Sequence, residues 1–152
     1  IQPVINKQLT LLTASYGMRI HPFYKTLQSH QGVDYTIPEG SRVFATADGT
    51  VREVAQRNST SGQTVVIDHG NGYETSYSHL SKINVRKGQQ VRRGDIIALS
   101  GDTGLSLAPH LHYEVRYNGM RVDPIHYFFM ELSPTEYQRL MRIAQSGMQS
   151  FD

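Results

Sequence analysis

The chain has 152 residues, within the usual range for one domain and long enough to bury a hydrophobic core without staples. Lys and Arg total 15 against 13 Asp and Glu, and this formal charge of +2 is too even to argue for a nucleic-acid partner. The absence of cysteine excludes disulfides and thiolate metal sites, so any metal must be held by His and carboxylate. The opening residues from Ile1 carry no basic-then-apolar signal, which is compatible with a processed or truncated product, and no apolar run approaches the roughly 20 residues of a membrane span.

Taken in order, the first dozen residues are uninformative. From about Ser29 to Val122 the chain reads as short runs rich in Val, Ile, Thr and Tyr, broken by the turn dipeptides Asp48-Gly49, Asn71-Gly72 and Asn118-Gly119. A hairpin is predicted from the run Thr64 to His69, a short loop at Gly70-Asn71-Gly72, and a second strand from Tyr73 ending at His79. Another joins His110–Tyr117 to Met120–Val122 through Asn118-Gly119, with Pro124 stopping the return strand. The tail changes character. Ser133-Pro134-Thr135-Glu136 supplies an N-cap, a proline at the first helical position and the Glu of a capping box. Behind it Tyr137, Leu140, Met141, Ala144 and Met148 recur at spacings of three and four, which makes one apolar face for docking on the β core. The reading is one mainly β domain over residues 1–152, with antiparallel sheets over 15–128 and a C-terminal helix over 134–148.

Seven histidines without Cys or Trp are the compositional feature that bears on chemistry. Side chains on a strand alternate with period two, so His30 and Asp34, and likewise His110 and His112, share a face if each segment is a strand. Catalytic zinc takes three N or O ligands and leaves a fourth position for water, whose pKa it lowers to about 7. Two imidazoles and a carboxylate suit that requirement, and a set of His30, Asp34 and His112 leaves a net positive centre. His-Glu-x-x-His is absent, so a proton acceptor must come from elsewhere, and His79 and His110 are the candidates. His69 and His126 are read as structural or solvent-facing.

His30-x-Gly32-x-Asp34, Tyr77-x-His79-Leu80 and Pro109-His110-x-His112-Tyr113-Glu114 together resemble the lysostaphin-type, LytM-like zinc endopeptidase family. Gly17-Met18-Arg19-Ile20-His21-Pro22, His69-Gly70-Asn71-Gly72-Tyr73 and Val122-Asp123-Pro124 extend the likeness over most of the chain. The resemblance implies a groove lined by antiparallel sheet, as in the duplicated hybrid motif, with zinc at its floor. It carries over His112 as the third ligand beside His30 and Asp34, with His79 and His110 as the catalytic histidines. Arg19, His21 and Tyr113 become candidate substrate contacts. The implied substrate is the stem peptide of peptidoglycan, outside the cytoplasm, with the D-alanyl–diaminopimelate cross-link favoured by the text around His21. A non-catalytic wall-binding or amidase-activating module on the same fold is the alternative. One departure stands before the His-x-His, where Leu107-Ala108 replaces the Thr-Gly pair of many relatives.

Overall fold

Both expected hairpins form, and their turns explain why. In this computed structural model, which describes residues 1–4, 12–14, 17–20, 27–30, 32–58, 60–104, 106 and 108–122, the pairs Asn71-Gly72 and Asn118-Gly119 all have φ between 51° and 87°. Two consecutive residues at positive φ make the type I′ turn, whose twist matches that of the strands it joins. The helix expected at 134–148 lies outside the described residues, as does His126.

The strands in chain order are β1 (Leu12–Ala14), β2 (Gly17–Ile20), β3 (Leu27–His30), β4 (Val33–Thr36), β5 (Arg42–Phe44) and β6 (Gly49–Asn58). They continue as β7 (Gly62–Gly70), β8 (Tyr73–Ile83), β9 (Gln90–Val91), β10 (Ile96–Ser100), β11 (His110–Tyr117) and β12 (Met120–Val122). All strand pairings among the described residues are antiparallel. The main sheet runs β1-β4-β11-β8-β7-β6-β9, with β12 beside β11 and the β5-β10 pair attached to the far end of β8. β2 and β3 form a separate two-stranded ribbon. No helix among the described residues is long and apolar enough to cross a membrane.

One boundary differs from the sequence reading. β8 does not stop at His79 but continues to Ile83, because His79 sits in a bulge with φ of 61° and the strand bends there rather than ending. Before the bulge β8 pairs with β11 from Tyr73 to Ser78; after it, Leu80–Ile83 pairs with β10. Opposite the same bulge, β7 advances two residues from Gln63 to Val65 while β8 advances three from Tyr77 to Leu80. β8 therefore links two parts of the sheet, and His79 stands at the joint.

The core is built by alternation along these strands. Val65 and Ile67 of β7, Tyr77 of β8, Leu111, Tyr113 and Val115 of β11, and Val33 and Tyr35 of β4 are all buried, with Val43, Val51, Leu80 and Ile97 closing around them. The polar atoms within it are paired. Thr46 Oγ1 lies 3.0 Å from the Tyr113 hydroxyl and 3.1 Å from that of Tyr77, which continues to Thr75 Oγ1 at 2.9 Å and on to His69 Nε2 at 2.6 Å. His69 Nδ1 donates to the Asp48 carbonyl, so this histidine is a member of the core network, as expected of a structural residue.

Candidate metal centre

Asp34, His112 and Ser78 lie side by side on three adjacent strands, because the register sets His112 of β11 opposite Asp34 of β4 on one side and opposite Ser78 of β8 on the other. Directly opposed residues project from the same face. His110 is two residues from His112 and shares that face. The Asp34 carboxylate is fully buried, and its Oδ1 lies 2.8 Å from His112 Nδ1 and 3.8 Å from His110 Nε2.

Alternation alone would turn His79 away, since Ser78 already occupies the shared face. The left-handed backbone at His79 reverses this and brings its ring to 4.6 Å from that of His110 and 6.4 Å from that of His112, centroid to centroid. Asn71 and Asn118 hold positive φ in hairpin turns, whereas His79 holds it within a strand, where a non-glycine residue in this conformation is uncommon. Three imidazoles and one carboxylate thus converge, all buried or nearly so.

Tautomers follow from the partners. His79 Nδ1 lies 2.6 Å from the Thr103 carbonyl and His110 Nδ1 lies 2.8 Å from the Ala108 carbonyl. A carbonyl only accepts, so in both rings Nδ1 carries the proton and Nε2 is the basic nitrogen. His112 differs, with Nδ1 against Asp34 and Nε2 donating to Glu114 Oε2 at 2.9 Å. Glu114 in turn accepts from Arg121 Nε at 3.0 Å. Burial pushes the Glu114 carboxyl up, but the hydrogen bond and charge of His112, reinforced by Arg121, outweigh it and leave its pKa lowered to about 2.

The route from β3 to β4 differs from the parity argument. His30 and Asp34 are not on one strand: His30 ends β3 in the two-stranded ribbon, paired with Gly17, whereas Asp34 belongs to β4 in the main sheet. Gly32 lies between them. A Cβ there would stand 2.3 Å from the Tyr113 carbonyl oxygen and 3.1 Å from His112 Cε1, so only glycine lets the chain pass this close over β11. The His30 side chain lies outside the described residues, as does that of Arg19 on β2, and His21 lies outside them altogether. Tyr113 is not brought to the cluster, because alternation turns it to the other face of β11. There its ring packs on Tyr77 at 5.4 Å and its hydroxyl meets Thr46, beside a cavity of about 340 Å³.

A buried carboxylate oxygen facing imidazole nitrogens is the N and O donor set that suits zinc. Among the described residues Asp34 and His112 supply two such donors in contact, and no third His, Asp or Glu completes a metal-holding group with them. Sequence reasoning left Glu114 and Thr103 without roles. Glu114 had a signal in its spacing of two from His112; Thr103 had none, because its contact with His79 arises from a loop returning over β8.

Residues 28–124 match the model of Peptidase family M23, and the chain belongs to that family. It is 49% identical over 106 residues to ShyA of Vibrio cholerae, described as a peptidoglycan DD-endopeptidase, covering 69% of this chain and 24% of that protein. The crystal structure of a zinc-containing peptidase from Vibrio cholerae matches with a TM-score of 0.73 and 41% identity over 80% of this chain and 37% of that one. The catalytic domain of lysostaphin from Staphylococcus simulans matches with a TM-score of 0.69 and 32% identity, over 82% of this chain and 97% of that one. The antiparallel β fold is the one these peptidases share. The chain spans between 22% and 28% of the length of the first curated relatives it matches.

Proposed function

We propose that this domain is a zinc-dependent endopeptidase acting outside the cytoplasm on the peptide cross-links of bacterial peptidoglycan, with the D-alanyl–diaminopimelate bond as its target. The observation that carries the reading is the buried Asp34 carboxylate in contact with His112, with His110 Nε2 3.8 Å from the same carboxylate and the His79 ring packed on that of His110. His30, Asp34 and His112 are assigned as the ligands. Zinc bound there supplies Lewis-acid polarisation of the scissile carbonyl and lowers the pKa of water.

The chain's own residues do the rest. His79 and His110, each protonated at Nδ1 through a backbone carbonyl, present Nε2 to accept a proton from the attacking water and to return one to the leaving amine. Glu114 fixes the His112 ring through Nε2, which leaves Nδ1 as the ligating nitrogen. Arg19 and His21 are assigned to the stem peptide on the resemblance of their segment to wall-cutting relatives. The bond assignment is supported by likeness to a relative described as a DD-endopeptidase. Incubation with diaminopimelate-type sacculi tests it: cross-linked dimers should fall to monomers, and persistence of dimers alongside loss of glycine bridges from other walls would reassign the bond.

A further inference from the structure

The loop after β10, residues 101–104, is seated on the joint of β8 with a closeness that three of its neighbours enforce. Thr103 Oγ1 donates to the Leu80 carbonyl at 2.7 Å and accepts from the Gln63 amide at 3.0 Å. A Cβ on Gly62 would stand 2.3 Å from Thr103 Oγ1 and 2.4 Å from its carbonyl carbon, so glycine at 62 is what lets the loop descend this far. In that position the Thr103 carbonyl meets His79 Nδ1 at 2.6 Å, while the His79 amide is held by the Ser61 carbonyl at 2.8 Å. One residue therefore clips β7 and β8 together beside the bulge with its side chain and grips the imidazole with its main chain.

We propose that Thr103 is a positioning residue for His79. Its hydroxyl locks the loop to β7 and β8, and the locked carbonyl fixes the His79 ring as the Nδ1–H tautomer, with Nε2 as the basic nitrogen beside His110. His110 obtains the same tautomer from the Ala108 carbonyl, so the two imidazoles are prepared alike by two carbonyls of the one connection between β10 and β11. The role of Nε2 in turnover rests on the endopeptidase reading; the hold on the ring does not.

The test is long-range ¹H–¹⁵N NMR of the histidine rings in the zinc-loaded protein, with steady-state kinetics, for the unaltered protein, Thr103→Val and Thr103→Ser. Unaltered protein and Thr103→Ser should show His79 protonated at Nδ1. Thr103→Val should show mixed tautomers, with unchanged zinc content and KM and a kcat lower by about 10-fold to 100-fold, the range for losing a group that orients a reacting one. Retention of the Nδ1–H tautomer in Thr103→Val overturns the proposal. Should the valine variant not fold, the unaltered spectrum decides alone, since an Nε2–H tautomer at His79 overturns it equally. If the unaltered protein hydrolyses no wall, the functional reading fails, and the ring spectra still decide whether Thr103 holds His79.

Discussion

His112 is bonded to carboxylates at both ring nitrogens, to Asp34 and to Glu114, whereas His110 and His79 are each held through Nδ1 by a backbone carbonyl. This difference separates the expected effects of removing them. His112→Ala should abolish stoichiometric zinc binding, while His110→Ala should keep zinc and lose turnover by at least about 100-fold, the contribution of a positioned acid or base. Metal analysis of the two purified variants with single-turnover rates checks this, and equal metal loss in both would contradict the assigned roles. Glu114→Ala leaves the His112 Nε2 proton without its carboxylate and should weaken zinc binding by about 10-fold to 100-fold in a chelator competition. That His110 and His112 share a face was legible from spacing, since period-two alternation needs only a strand, whereas their meeting with Asp34 comes from the register of β4 on β11. His79 was not, because alternation gives the wrong face and only the left-handed turn of its backbone corrects it.

At the level of elements, the bulge in β8 carries a cost that substitution can reveal. Alanine at 79 keeps the Cβ that disfavours positive φ, whereas glycine does not, so His79→Gly should be more stable than His79→Ala by about 1 kcal/mol. Urea denaturation of the two variants measures it, and an alanine variant as stable as the glycine one would show that the strand relaxes. Tyr77 offers a second measure. Its hydroxyl joins Thr46 and Thr75 inside the core, and Tyr77→Phe strips both of a buried partner, so stability should fall by about 1 to 3 kcal/mol. The hairpins around Asn71-Gly72 and Asn118-Gly119 were readable because those dipeptides specify a turn of fixed hand. The break between β3 and β4 was not, because Gly32 is required by contact with Tyr113, a partner 81 positions away in sequence that no local pattern reveals. The helix read at 134–148 lies outside the described residues.

At the scale of the molecule, the main antiparallel sheet of the described residues holds the core on one side of β11 and the histidine cluster on the other. Val65, Ile67, Tyr77, Leu111 and Val115 form that core without help from the cluster. Removing metal with a chelator should therefore stop hydrolysis while leaving the far-UV circular dichroism of the β fold in place, and zinc should restore the rate. The measurement that tests the central claim most directly is mass spectrometry of the fragments released from purified diaminopimelate-type sacculi, with His110→Ala alongside. Conversion of cross-linked dimers to monomers by the unaltered protein alone is the predicted result. Release of no fragment by zinc-loaded protein, or equal release by His110→Ala, would contradict it.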